Sequence, residues 1–140
     1  MLTTRLNTIL LVDDDPDCNF LHRRLLRKSA CSERVVVTQD ADDAIAFITE
    51  AAEEEPGRLP ELVLLDINMP GMNGWEFLDE FEKLPESIRS NIKVIILTSS
   101  LNPDDKNRAD ANPSVAGMYD KLLTREIIRE ILKDHFGERF

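Results

Sequence analysis

The chain is 140 residues long, 42% hydrophobic and 31% charged, with a formal net charge of −10 at pH 7. That length suits one domain with a real core, and residues 1–140 are expected to form a single domain without a separate output domain. The acidic balance argues against direct nucleic-acid binding through phosphate contacts, and no apolar run approaches the roughly 20 residues that span a bilayer.

The opening "MLTTRLNTILLVDDD" passes from a short apolar stretch straight into Asp13, Asp14 and Asp15. It has no small-residue cleavage site and reads as a first strand, not a secretory leader. Cys18 and Cys31, with only two histidines in the chain, lack the spacing of a zinc site or a disulfide scaffold. The cytoplasm is the expected compartment, and no membrane contact is expected.

Taken in chain order, "TILLV" (Thr8–Val12) is the first buried strand, and Asp15 followed by Pro16 caps a helix whose inner face is expected to carry Phe20, Leu21 and Leu25. "RVVVT" (Arg34–Thr38) is the second strand. Ala41, Ala44, Ile45, Ile48 and Ala52 mark a helix that ends at "EEEPG". "LVLLD" (Leu62–Asp66) is the third strand, and Trp75, Leu78 and Phe81 mark the next helix. "KVIILT" (Lys93–Thr98) is the fourth strand. Asn102–Asn112 starts well as a helix but has almost no apolar stripe, so a short, loosely packed helix or an irregular segment is expected there. "VAGMY" (Val115–Tyr119) is a weaker fifth strand, and Ile127, Ile128, Ile131 and Leu132 place a final helix.

The strands show little polar alternation, as expected of strands covered on both faces. Their alternation with helices implies an α/β fold with a parallel sheet, because right-handed crossovers put helices on both faces. Ligands of such sheets gather at the carboxyl ends of the strands. Those ends carry Asp13 and Asp14, Asp66, Thr98 with Ser99 and Ser100, and, just after the fifth strand, Lys121.

An acid at the end of a buried strand is costly unless it is paired, bound to a cation, or used. Three acids at one edge call for a hard divalent ion, and magnesium suits carboxylates better than zinc does. Asp14 and Asp66 are the first-choice ligands, with Asp13 direct or through water. Beside the metal, Asp66 can act as a nucleophile toward a phosphoryl group. The Lys121 ammonium and the Thr98 hydroxyl can then neutralise and bind the phosphoryl oxygens.

"LLVDDDP", "LLDINMPGMNG", "VIILTSS" and Lys121, in this order and spacing, resemble the receiver domains of two-component response regulators, including stand-alone chemotaxis regulators. The resemblance covers essentially the whole chain. It implies a flavodoxin-like doubly wound sheet of five parallel strands in the order 2-1-3-4-5. It also implies that Asp66 is phosphorylated by a histidine kinase or a histidine phosphotransfer protein, with Asp13 and Asp14 as the acidic pair and Asn68 lending a backbone carbonyl to magnesium. Thr98 would move toward the phosphoryl group and couple it to the surface of the fourth and fifth strands and the helix between them. Asn68 and Ser100 would influence the dephosphorylation rate. Output by docking to a further protein is expected, as a monomer or a phosphorylation-linked dimer, and the chain would be a phosphoacceptor switch in a phosphorelay, not an enzyme.

The sequence departs from the family pattern twice. Leu122 stands where proline usually follows the lysine, so a trans bond or a rearranged loop is expected. Met118 stands at the switch-aromatic position, with Tyr119 one place later and its substitution for that aromatic left open.

Simpler readings cover the remaining residues. Asp15 and Asp17 suit a helix start. Trp75, Phe77 and Phe81 suit core packing. His22 and His135, in charged helical sequence, read as surface residues, and the cysteines as small, partly buried fillers. Two other functions compete: a degenerate receiver that binds partners without phosphorylation, and a haloacid-dehalogenase-type phosphatase using Asp13 and Asp15. The second lacks a final acidic motif and leaves Asp66 unexplained. A flavin binder of the same fold would want a phosphate-cradling loop where Asp13 and Asp14 would repel the phosphate.

Overall fold

The computed structural model describes residues 5–67, 74–99 and 102–137. The five expected strands form one parallel sheet: β1 (Leu6–Val12), β2 (Ser32–Thr38), β3 (Leu62–Asp66), β4 (Lys93–Thr98) and β5 (Val115–Asp120), in the order β2-β1-β3-β4-β5. The apolar runs Leu62–Asp66 and Lys93–Thr98 coincide with β3 and β4. All five residues of β3 are buried, because it lies at the centre of the sheet with helices over both faces.

The described residues contain α1 (Pro16–Ser29), α2 (Ala41–Glu54), α3 (Gly74–Glu82), α4 (Glu86–Arg89), α5 (Pro103–Ala111) and α6 (Arg125–Phe136). The short α4 and a 3-10 turn at Pro56–Arg58 were not foreseen, since neither is long enough to show a period. Asp15, Asp40, Asn102 and Thr124 cap α1, α2, α5 and α6, each side chain accepting from a backbone N–H of the first turn. Asn102–Asn112 resolves as a helix that buries only Ala109, in keeping with its missing apolar stripe.

Two cores flank the sheet. On one side Leu10, Val12, Val63, Leu65, Val94 and Ile96 meet α2, α3 and α5; on the other Ile9, Leu11, Leu62, Leu64, Ile95 and Leu97 meet α1 and α6. Trp75, Phe77 and Phe81 are core residues, Phe77 and Phe81 stacking at 5.8 Å between ring centroids. In α2 it is Ala51, not Ala52, that is buried.

The expected inner face of α1 is wrong. Phe20 and Leu21 are 65% and 62% exposed, Leu25 is half-buried, and the buried residues are Asn19, His22 and Leu26. The reason is what α1 crosses. Leu26 packs into the core, but Asn19 and His22 meet the Asp13 and Lys121 carbonyls at the ends of β1 and β5, so that part of the inner stripe carries polar side chains.

At the other edge, β4 and β5 keep register from Ile95↔Gly117 to Thr98↔Asp120 after an irregularity next to Val94↔Val115, which leaves Ala116 as an extra residue. An extra residue reverses the face of every later side chain. Met118 therefore joins the α3 and α5 side, while Tyr119 packs on the α6 side.

Candidate functional site

The carboxyl edge of the sheet brings Asp13, Asp14, Asp66, Thr98 and Lys121 together. β1 delivers Asp13, whose backbone N–H is bonded to the Thr38 carbonyl of β2 at 3.1 Å. Parallel pairing of β3 beside β1 and β4 sets Asp66 between them. A Lys121 N–H bond to the Thr98 carbonyl, 3.0 Å, ties the fifth strand's exit to the end of β4.

Lys121 is the centre of the charge arrangement. Its Nζ donates to Asp66 Oδ2 at 2.9 Å and lies 3.5 Å from Asp13 Oδ2. Asp13 and Asp66 are only 5% and 2% exposed, so the ammonium compensates two carboxylates largely removed from water. Burial alone would lower the Lys121 ammonium, but its hydrogen bond to Asp66 and the charges of Asp13 and Asp66 outweigh that and hold it above its ordinary value. Burial also pushes the Asp13 carboxyl up, against the bond that Asp13 Oδ1 accepts from the Asp15 N–H at 2.9 Å.

One ligand oxygen from each of Asp13, Asp14 and Asp66 lies within 4.8 Å of the others. Oxygens bound to one magnesium ion stand about 3–4 Å apart, from metal–oxygen bonds of roughly 2.1 Å. The three carboxylates therefore fit a hard divalent cation after a sub-ångström closure, or with one of them bound through water. Asn68 and Ser100 lie outside the described residues.

His22 was missed as a site neighbour. It is buried, not a surface residue, and its Nε2 is 3.0 Å from the Lys121 carbonyl oxygen. Burial holds its imidazole below the ordinary histidine range. Asn19, one turn earlier, donates from Nδ2 to the Asp13 carbonyl at 2.7 Å. A buried stripe of Asn19, His22 and Leu26 at helical spacing was the available signal, hidden by the adjacent apolar pair Phe20 and Leu21. His135 is half-buried too, its Nε2 3.1 Å from the Tyr119 hydroxyl.

The open question about Tyr119 is answered by its face. Val94, Ile96 and Thr98 alternate onto the α3 and α5 side, as does Met118, whereas Tyr119 lies on the opposite face and donates its hydroxyl to Asp134 Oδ2 at 3.0 Å. Burial, the Asp134 bond and acidic neighbours push that phenol up to about 12. Tyr119 is thus tied to α6 and does not stand in for an aromatic beside Thr98. Among the described residues no peptide bond is cis, so Lys121–Leu122 is trans.

The parallel sheet of order β2-β1-β3-β4-β5 with helices on both faces, carrying an acidic cluster and a lysine at its carboxyl edge, places the chain among the doubly wound α/β proteins. Residues 9–133 match the family described as the response regulator receiver domain, and the chain belongs to that family. It is 36% identical over 97 residues to the response regulator Rcp1 of Synechocystis sp., a match covering 69% of this chain and 65% of that protein. The chain therefore spans about two-thirds of the length of that relative. The crystal structure of a two component response regulator from Cytophaga hutchinsonii superposes with a TM-score of 0.83 at 30% identity, over 96% of this chain and 97% of that one. The Mn(2+)-bound form of response regulator Rcp1 superposes with a TM-score of 0.71 at 29% identity, over 91% and 92%.

Proposed function

We propose that this chain is a phosphoacceptor switch. Asp66 takes a phosphoryl group, in a magnesium-dependent reaction, from a histidine kinase or a histidine phosphotransfer protein, and the phosphorylated form signals in the cytoplasm by changed docking to a downstream protein. The observation that carries the reading is the Lys121 ammonium held between the buried carboxylates of Asp66 and Asp13, with Asp14 beside them, at the carboxyl edge of the sheet.

In this mechanism an Asp66 carboxylate oxygen forms the new bond to phosphorus as the donor's phosphorus–nitrogen bond breaks, the electron pair leaving with the imidazole. The Lys121 ammonium takes one phosphoryl oxygen and the Thr98 hydroxyl donates to a second. Asp13, Asp14 and Asp66, with the Asn68 carbonyl, would hold magnesium, which would supply further positive charge to the phosphoryl group. Positioning supplies most of the remainder, since the acceptor stands on the rigid central strand. A protein donor is supported by the surroundings of Lys121: an open groove of about 610 Å³ whose lining mixes apolar side chains, among them Leu21, Leu25 and Leu122, with the charged Arg24, Lys28 and Asp120. At its rim Leu21 and Leu122 are 62% and 78% exposed.

Intact-protein mass after incubation with acetyl phosphate, with and without magnesium, tests the reading. The native chain should gain one phosphoryl group only when magnesium is present, and Asp66→Asn should gain none. Absence of that gain, together with no beryllofluoride binding, would instead assign a phosphorylation-independent binding module. The non-aromatic Met118 on the Thr98 face of the sheet favours that second reading.

A further inference from the structure

Lys121 points its ammonium at two buried carboxylates from the loop that follows β5. The loop's own bonds are short-range: Leu122 N–H to Asp120 Oδ1 at 2.8 Å, and Leu123 N–H to the Lys121 carbonyl at 2.9 Å. Leu122, the next side chain, is 78% exposed and anchors nothing. Two bonds reach Lys121 from outside the loop: its N–H donates to the Thr98 carbonyl of β4 at 3.0 Å, and its carbonyl faces His22 of α1. A carbonyl can only accept, so His22 must carry its proton on Nε2 and donate it to the Lys121 oxygen at 3.0 Å.

A leucine would fill this position at lower cost if packing were its only task. The imidazole is 7% exposed, and taking it out of water is repaid only by a bond it makes there. Its neighbour on the same stripe behaves alike, since Asn19 holds the Asp13 carbonyl at 2.7 Å. The two residues join one rigid helix to the two backbone segments that bear the acid and the lysine.

We propose that His22 is a positioning residue for Lys121: its Nε2–H bond to the Lys121 carbonyl fixes the backbone from which the ammonium reaches Asp66 and Asp13. The effect on phosphoryl transfer rests on the function proposed above; the effect on the ammonium does not. Losing the bond removes the α1 side of that support and leaves the Thr98 bond alone to set the Lys121 backbone, and a misplacement on the order of 1 Å in such a site costs roughly 10- to 100-fold in rate.

The experiment uses the full chain as native protein, His22→Leu and His22→Gln, the last presenting an amide N–H close to the position of Nε2. Two quantities are read: the rate constant for phosphorylation by acetyl phosphate at saturating magnesium, and the ammonium resonance of Lys121 in 15N-lysine-labelled protein. His22→Leu should slow phosphorylation roughly tenfold or more, leave magnesium affinity undiminished, and move the Lys121 resonance toward that of a solvated lysine. His22→Gln should restore both readings to near native. Native rate in His22→Leu, an unmoved Lys121 resonance, or equal losses in the leucine and glutamine variants would each overturn the proposal. If the native chain takes no phosphoryl group, the phosphoacceptor reading fails, and the Lys121 resonance alone still decides the role of His22.

Discussion

Gly74, the first residue of α3, sits against the end of β3, its N–H bonded to the Ile67 carbonyl at 3.3 Å. A Cβ placed there would lie 2.8 Å from the Asp66 carbonyl oxygen, 2.8 Å from Ile67 Cα and 2.9 Å from Ile67 Cγ2. Carbon atoms in contact stand roughly 3.5–4.0 Å apart, so the shortfall is on the order of 0.7 Å. Two of the three atoms are backbone and have no rotamer to escape into. Gly74→Ala must therefore lift α3 or push the end of β3, at a cost of about 1–3 kcal/mol. At ~3–4 °C per kcal/mol for a domain of this size, the melting temperature should fall by roughly 3–10 °C. Helix propensity alone predicts the opposite sign, since alanine is favoured over glycine inside a helix by about 0.5–1 kcal/mol. Because the displaced atoms belong to Asp66 and Ile67, magnesium affinity should weaken as well. Scanning calorimetry and a magnesium titration read both effects, with Gly57→Ala as control, where an added Cβ meets nothing within 4 Å. A Gly74→Ala melting temperature equal to or above native would refute the reasoning.

Other expectations come from the same geometry. Lys121→Met removes the charge that competes with a cation beside Asp66 and Asp13, so affinity for magnesium should rise roughly tenfold by calorimetric titration; an unchanged or weaker affinity would contradict the charge arrangement. His22 is held below its ordinary pKa of 6.5 by burial, so the unfolded chain takes up a proton that the native chain refuses. That contribution to stability is present above pH 6.5 and is lost as the pH falls below it. The melting temperature should therefore drop more between pH 7.5 and 5.5 in the native chain than in His22→Gln. This difference cancels the opposite-signed contribution of Asp13, whose raised carboxyl weakens stability as the pH climbs from 3.8; equal drops would refute the assignment. Ala30 ends α1 in the left-handed region at φ 51° and ψ 35°. Ala30→Gly relieves about 1–2 kcal/mol of strain against a smaller loss through the unfolded chain, for a net gain of up to ~1 kcal/mol in urea unfolding.

Much of the fold was legible because each strand is an unbroken apolar run. A strand covered on both faces advertises itself by composition, and β3 and β4 match their runs residue for residue. The candidate site was marked in the sequence by a set and not by single residues: acids at the ends of the first and third runs, Thr98 at the end of the fourth and Lys121 after the fifth, each weak alone, and the structure places Lys121 against Asp13 and Asp66. The inner face of α1 was not legible in the same way. Two of its partners are backbone carbonyls, that of Asp13 six residues before Asn19 and that of Lys121 99 residues after His22, and neither is visible to a hydrophobic period. Reading the helix by apolar spacing therefore put Phe20 and Leu21 inside and His22 outside, the reverse of their positions.

By itself the sequence determined the number of strands, their succession along the chain and which residues end them, because local composition marks each run and alternation with helices implies a parallel sheet covered on both faces. Tertiary structure decided how those ends face one another. The 2.9 Å approach of Lys121 to Asp66 joins residues 55 positions apart, and the His22 bond to the Lys121 carbonyl joins residues 99 apart. The extra residue at Ala116, which sends Met118 and Tyr119 to opposite sides, arises from the register of β5 against β4. Register and crossing geometry are properties of packed pairs of elements, and no single segment carries them in its own pattern.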